Sequence, residues 1–412
     1  MRTITTTTTL ADKKLVKYTE ALQLINDHAG SFGRERVALD DADGRVLAEN
    51  IFADRDYPPF NRATMDGFAF RSSDWEGGRR DYRIQETLYA GQIHDAELAP
   101  GACYKVMTGA AVPPWADVLV HREEALEYGQ GTLLLPDQVK PYQNIVQKGE
   151  DIGSNEMIVP AHSACDPSLI GLLAGVGKKT LMVERMPRVA LFTTGNEIVP
   201  VKEAVSGAQV RNSNKHLLLA LLRKWKIRPD VCEHLPDNKT VLTSALQKAL
   251  THDIIILNGG VSSGDAEMVP QVLKKLGVDQ VFHQVAIKPG KEVYFGKLPK
   301  GGVVFALPGN PFSCLVTFTL FIEEFLYSSF GLTQPVYQST LLEQREKSHS
   351  LTEFFPVKID AISSGVRPFS INGSGDIRAG VGAHALGVHL AGHQVIKRGT
   401  AINLIPLNTT LL

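Results

Sequence analysis

The sequence predicts a multidomain α/β plus β protein. From Pro187 to Phe330 apolar, strand-type runs alternate with helical patterns, which is the signature of βαβ units and a parallel sheet covered on both faces. On either side lie short alternating runs broken by Pro and Gly, the texture of small β-domains. The length of 412 residues suits two to four domains, and 43% hydrophobic with 21% charged residues is ordinary soluble composition.

Along the chain, the threonine-rich opening from Met1 to Thr9 reads as a tail. Thr19 to His28 has the spacing of an amphipathic helix with Leu22, Leu24 and Ile25 inward, and Arg36 to Asp54 reads as extended chain. Tyr57 to about Tyr142 suggests a β-domain inserted into its neighbour. In the α/β section, Arg188–Thr194 is a β-rich run, Asn212–Trp225 and Thr240–Leu250 are helical, and Asp253–Asn258 is a strand. A helix over Ala266–Leu276, strands near Val285 and Val293, the strand Val303–Leu307 and a helix from Phe312 follow. Beyond about Gln334 the runs Phe354–Ile362, Ala385–Leu390 and Thr400–Pro406 suggest a small terminal β-barrel or sandwich.

Charge and cysteine content exclude several classes. The balance of 43 basic against 44 acidic residues leaves no footprint for nucleic acid or an anionic membrane. Cys103, Cys165, Cys232 and Cys314 lack CxxC spacing and read as reduced core thiols. No signal-peptide pattern opens the chain, and no run approaches the roughly 18 apolar residues of a span, so a cytoplasmic protein is expected. No HExxH pair and no nucleophile elbow occurs; His389 and His393, in a Gly-rich region, read as surface residues.

The chemistry is expected at strand carboxyl ends. Loops there converge on one crevice in open α/β sheets. Four are polar and glycine-bearing: Thr194-Gly195-Asn196-Glu197, the stretch Asn258 to Asp265, Lys288-Pro289-Gly290-Lys291 and Pro308-Gly309-Asn310-Pro311. Two of them, the stretches after Ile254–Leu257 and Val303–Leu307, run on into helical patterns, a layout that favours a phosphate or other oxyanion. Lys288 and Lys291 can neutralise phosphate oxygens. Glu197, Asp237, Asp265 and Glu267 would repel them unless a divalent cation, with Mg²⁺ the natural one, lay between; helix capping is the structural alternative for these acids. In the inserted region, Asp66-Gly67 reads as a β-hairpin turn, and Met107-Thr108-Gly109-Ala110 and Gly149-Glu150-Asp151-Ile152 read the same way.

Taken in order, these motifs resemble the molybdopterin molybdenumtransferase family of the MoeA and gephyrin E-domain type. Asn61–Ala69 is similar to its S-x-MDGYA segment, Met107–Pro113 to TGAxxP, Gly149–Ile152 to GEDI and Pro187–Val199 to PRVAxxxTGDEL. Asn212-Ser213-Asn214, Gly259–Asp265 (GGVSxGD), Ala286–Lys291 (KPGK) and Leu307–Ser313 (LPGNPxS) complete the series. The resemblance implies an elongated N-terminal α+β domain over 10–55 and 145–182, an inserted β-domain over 56–144, a doubly wound parallel-sheet molybdopterin-binding domain over 183–330 and a small C-terminal β-barrel over 335–412. It also implies a homodimer with a shared cleft, and contact with the enzyme that adenylylates molybdopterin.

The activity implied is insertion of molybdate into adenylylated molybdopterin with Mg²⁺-dependent release of AMP; the alternative is a paralogue that binds molybdopterin as carrier or scaffold. The resemblance raises Asp66, Thr108 and Asp151 from turns to catalytic candidates beside Glu197 and Asp237. It assigns pterin binding to Gly259, Gly260, Ser262, Ser263, Gly264, Asp265, Lys288, Lys291, Pro308, Gly309 and Asn310, and Mg²⁺ to Glu197, Asp265 and Glu267. Departures from the family pattern are Asn196 for Asp, Glu267 for Asp, Gln284 for Lys, Val146 for Arg and Glu292 for Pro. In the C-terminal region Glu353-Phe354-Phe355-Pro356 stands for acid-Phe-x-Arg, and Asp376 lies near an expected Ser, which removes groups that the family uses to hold molybdate. Arg367 and Arg378 are the cations available to substitute.

Overall fold

The computed structural model describes residues 15–128, 131–261 and 268–407. The threonine-rich opening lies outside these residues, as do Ser262, Ser263, Gly264, Asp265 and Glu267. The chain forms two compact units, one of Met1–Ala48, His162–Pro167 and Thr180–Leu412, the other of Glu49–Ala161 and Ser168–Lys179.

The first unit is built on a six-stranded sheet of β1 (Val189–Thr194), β2 (Val231–Leu235), β3 (Ile254–Asn258), β4 (Asp279–His283), β5 (Tyr294–Lys297) and β6 (Val303–Leu307). The order is β2-β1-β3-β6-β5-β4. β2, β1, β3 and β6 are parallel, whereas β5 and β4 run antiparallel at one edge. The expected all-parallel sheet is therefore mixed. The short link between β4 and β5 has no crossover helix, and antiparallel pairing needs none.

Alternation along each central strand explains why the sheet is covered twice. Leu191, Ile254, Ile256 and Phe305 belong to one core, and Ala190, Phe192, Ile255, Leu257 and Val304 to the other. The first is sealed by α1 (Ser213–Lys224) through Leu218, Leu221 and Leu222, by α4 (Pro311–Ser329) and by the N-terminal helix Tyr18–Asn26. Of that last helix Ala21 and Ile25 are buried, whereas the expected Leu22 and Leu24 are half-buried. The second core is sealed by α2 (Lys239–Ala249) and α3 (Met268–Lys275). Each fully buried Leu or Phe contributes roughly 1.5–3 kcal/mol.

α4 corrects one expectation. Its 19 residues have a mean hydropathy of 1.2, long and apolar enough to cross a membrane, but 83% of it is buried inside the protein. Its apolar faces meet β-strand and helix neighbours, so it is a core helix. A π-turn over Phe318–Ile322 shifts its register just before Glu323.

Strands Thr352–Asp360, Ala385–His389, Ala401–Pro406 and Tyr337–Thr340 pair in sequence, and Gly365–Pro368 pairs with the first of them. A bridge between Leu341 and Val366 closes the ring. Ile287–Lys288, leaving the α/β sheet, adds to the same layer beside Thr352 and Glu353. His389 is wholly buried opposite Glu353, not on the surface as its Gly-rich surroundings suggested, because it ends a central strand of this layer; burial holds its imidazole down to about 4. His393 is exposed.

The second unit centres on a six-stranded sheet in which Gly67–Phe70 lies between Ala102–Val106 and Val118–His121. The four cysteines are free thiols, and Cys103, Cys165 and Cys314 are buried.

Candidate functional site

The strand order reverses between β1 and β3, because the connection from β1 leads to β2 on one side and that from β3 leads to β4 on the other, so their loops part at a topological switch point. A cavity of about 1270 Å³ opens there. Its walls come from the carboxyl ends of all four parallel strands: Thr194, Gly195 and Glu197 after β1, Asp237 after β2, Asn258 to Val261 after β3, and Pro308 to Pro311 after β6.

Glycine is required where β3 ends. Gly259 has φ +96°, and a Cβ there would lie 2.8 Å from the backbone oxygen and the hydroxyl of Thr194. Gly260 has φ +68°, with a Cβ position 2.9 Å from Val269. Both positions demand a left-handed backbone and a bare α-carbon, so the loops after β1 and β3 pack in direct contact.

Side-chain amides hold the rest of the floor. Asn214, in the first turn of α1, donates through Nδ2 to Asn258 Oδ1 (2.9 Å) and to the Gly309 carbonyl (2.6 Å). Asn258 Nδ2 donates to the Pro308 carbonyl at 2.8 Å. With both Nδ2 hydrogens committed to carbonyl acceptors, the Asn214 amide has one orientation, and its Oδ1 has no hydrogen-bond partner. The Thr194 hydroxyl is likewise buried without a partner. On the rim, the Asn196 N–H donates to Asp237 Oδ2 (3.2 Å) and the Asp237 N–H to Asn196 Oδ1 (3.0 Å), a reciprocal clasp.

The sequence-predicted residues divide accordingly. Glu197, Asp237, Gly259, Gly260, Pro308, Gly309 and Asn310 line one cavity. Lys288 and Lys291 do not line it: Lys288 is exposed in the strand beside Glu353, and Lys291 Nζ lies 3.4 Å from Glu292 Oε1. Gln284 Nε2 donates to the other oxygen of Glu292 at 2.7 Å, and Glu292 itself lines the cavity. Among the described residues no group of three or more His, Cys, Asp or Glu side chains is placed to hold a metal. Glu197, exposed on the cavity wall, is the described member of the expected Mg²⁺ set.

The C-terminal layer reaches the same cavity. Asn310 Nδ2 donates to Ser374 Oγ (2.9 Å), the Phe312 N–H donates to the Ser374 carbonyl (3.2 Å), and Gly375 and Ile377 line the wall. Asp376 closes its own loop by accepting from the N–H groups of Arg378 (2.9 Å) and Asn372 (3.1 Å), bonds that hold its carboxyl below the ordinary range. Arg378 is paired with Asp376, and Arg367 with Glu343 and Asp360.

In the second unit Asp66 and Thr108 meet. The Thr108 N–H and hydroxyl both donate to Asp66 Oδ1, at 2.8 and 2.7 Å, and these bonds hold the Asp66 carboxyl below its usual range. Asp66-Gly67 is not the hairpin turn its sequence suggested. Arg62–Ala63 pairs with Ile145–Val146, and Gly67–Phe70 pairs elsewhere. Gly67 is needed because a Cβ would collide with the Val120 carbonyl. Met107 to Ala110 is a turn, closed by the Ala110 N–H on the Met107 carbonyl, with Gly109 at φ +81°. Asp151 lies one residue past a turn over Gln147–Glu150, exposed, with its N–H donating to the Tyr57 carbonyl at 3.0 Å.

Sequence reasoning placed Asn214 and Asn258 inside its motifs and Glu292 among the departures without giving any of them a role, and it did not mention Arg211; all four line the cavity. The Asn212-Ser213-Asn214 step at the head of α1 was the one available signal.

Comparison with known proteins agrees with this geometry. Residues 16–177 match the family model "MoeA N-terminal region (domain I and II)", and residues 190–328 match "Probable molybdopterin binding domain". The molybdopterin molybdenumtransferase of a Synechocystis species is 32% identical over 386 residues, covering 92% of this chain and 96% of that protein. The chain belongs to the molybdopterin molybdenumtransferase family. A Staphylococcus epidermidis protein of the same name is 30% identical, with 90% of each chain covered. Among solved structures, the molybdopterin biosynthesis MoeA protein of Pyrococcus horikoshii OT3 has a TM-score of 0.82 at 27% identity, covering 95% of this chain and 99% of that one. The fold is thus the multidomain α/β fold of MoeA, and the cavity lies in the segment matching the family's molybdopterin-binding domain.

Proposed function

We propose that this protein inserts molybdenum from molybdate into adenylylated molybdopterin, releasing AMP. The observation that carries the reading is the cavity at the switch point of the segment matching a molybdopterin-binding domain, floored by bare glycine loops. Side-chain-free backbone at Gly259, Gly260 and Gly309 lets a phosphate approach the chain closely. In the proposal Ser262, Ser263, Gly264 and Asp265 bind the same ligand, as do Pro308 and Asn310, and Lys288 and Lys291 contribute positive potential from outside the cavity.

Mg²⁺ belongs to the same proposal, held by Glu197 with Asp265 and Glu267. Glu197 supplies the hard oxygen donor that Mg²⁺ prefers. When bound, the ion neutralises phosphate charge and polarises the phosphoanhydride. Asp237, clasped to Asn196, fixes the loops after β1 and β2 at that edge. Asp66 is ionised throughout the physiological range, and Thr108 occupies only its Oδ1. A carboxylate held below its usual range is a weak base, so its part is to orient and stabilise positive or proton-donating groups of the substrate; Asp151 shares that task.

The four-domain division, the homodimer with its shared cleft, the cytoplasmic location and contact with the adenylylating enzyme complete the proposal. Pairing of Arg34–Ala38 with Thr180–Glu184 and of Ile51–Phe52 with Met157–Val159 supports the discontinuous N-terminal domain.

One observation favours the second reading, a binding protein that carries the pterin without inserting metal. Pro356 stands where the family has Arg, and the two cations considered as substitutes, Arg367 and Arg378, are already paired with carboxylates. Purified protein supplied with adenylylated molybdopterin, Mg²⁺ and low molybdate decides between them. Release of AMP with formation of active cofactor is expected; tight binding without AMP release leaves only the carrier. Asp66→Asn should abolish turnover and leave the melting profile intact, and an unchanged rate removes Asp66 from the site.

A further inference from the structure

With Lys288 and Lys291 off the cavity wall, the charge balance inside it changes. Among the described lining residues the charged side chains are Glu197, Asp237, Glu292 and Arg211. Arg211 is therefore the cation of the described wall. It precedes Asn212, whose side chain caps α1, a helix of 12 residues, by accepting from the Lys215 N–H at 3.0 Å. Its Nε donates to the Glu203 carbonyl at 3.3 Å, and among the described residues no carboxylate forms an ion pair with it. A planar, exposed fork without a carboxylate partner suits bidentate capture of a phosphate.

A second feature of the same wall asks for a ligand independently. Thr194, nine-tenths buried, lines the cavity with its hydroxyl unpartnered, and Asn214, in the first turn of α1, presents an amide oxygen that lacks a donor. A buried polar atom left unpaired costs about 1–3 kcal/mol, a cost that a ligand hydrogen bond recovers. The two requirements differ: an anion at Arg211, and a hydrogen-bond-donating group near Asn214. One ligand with a phosphate and an N–H-bearing ring meets both.

We propose that Arg211, at the head of α1, is the phosphate-binding cation of the cleft, and that Thr194 and Asn214 receive the polar edge of the attached heterocycle. This rests on the pterin-nucleotide reading above. It makes Arg211 a binding residue, acting on affinity and not on the chemical step.

The test is retention of adenylylated molybdopterin by the full chain on gel filtration, read by pterin fluorescence, alongside AMP release. Arg211→Gln should weaken retention at least tenfold and raise KM with kcat within twofold, Arg211→Lys should be intermediate, and the loss should shrink in high salt. Circular dichroism checks that the variants are folded. Retention by Arg211→Gln equal to wild type overturns the assignment, whatever the turnover. Retention by wild type without AMP release sinks the enzymatic reading but still tests Arg211, and no retention by wild type overturns both.

Discussion

Glu323 is a carboxylic acid sealed in the core of the first unit, with 7% of its surface exposed. Burial pushes its carboxyl up to about 7; Lys224 and a 3.5 Å hydrogen bond from Trp225 Nε1 oppose this only in part. From an ordinary value of 4.5, a rise to about 7 corresponds to a penalty of about 3 kcal/mol at 1.36 kcal/mol per unit. For an acid whose folded value is raised, the folded state holds the proton more tightly. The penalty is therefore absent below 4.5, grows as pH rises, and is complete above about 7. Glu323→Gln, which keeps the volume and cannot ionise, should gain nothing at pH 4 and about 3 kcal/mol at pH 8. Trp225 touches Glu323 and is the tryptophan of its unit, since Trp75 and Trp115 lie in the other. Urea unfolding followed by fluorescence in a Trp75→Phe, Trp115→Phe background reads this site. A stability gain that is the same at both pH values, or larger at acid pH, refutes the argument.

Other outcomes follow from the same geometry. His389→Leu should remove an acid sensitivity of opposite sign: an imidazole held down to about 4 costs stability as pH falls from 6.5 toward 4, and urea titrations across that range would show the slope disappear. Gly259→Ala forces a side chain into φ +96° and against Thr194, which should cost about 1–3 kcal/mol by urea unfolding and depress pterin retention. Asn214→Ala strips donors from Asn258 Oδ1 and the Gly309 carbonyl and should cost about 2 kcal/mol or more, with a lower urea midpoint; an unchanged midpoint would show that water replaces the amide without penalty.

Much of the α/β unit was legible because its signal is local. Ile254 to Leu257 is apolar at every position, which only a strand covered on both faces requires, and glycine follows where the chain must turn over β1. The antiparallel edge was not legible, since the direction of β4 and β5 depends on the link between them and not on their composition. Asp66-Gly67 misled because the strand it begins pairs with Tyr104–Val106 and Val118–His121, partners that a turn signal cannot name. The resemblance found the loops and the Asn212-Ser213-Asn214 step, but it gave Asn214 no role and did not reach Arg211, whose importance comes from the wall it occupies. It assigned the positive charge to Lys288 and Lys291, and the structure shows Lys291 already matched to Glu292.

The amide relay from α1 to the loops after β3 and β6 has a mechanical meaning. Because Asn214 grips Asn258 and Gly309 at once, and Asn258 grips Pro308, neither loop can swing outward without breaking bonds to the other. A ligand that pries at one lip of the cleft strains both lips and the helix behind them together. This part of the protein therefore behaves as a rigid mould, cast before its ligand arrives.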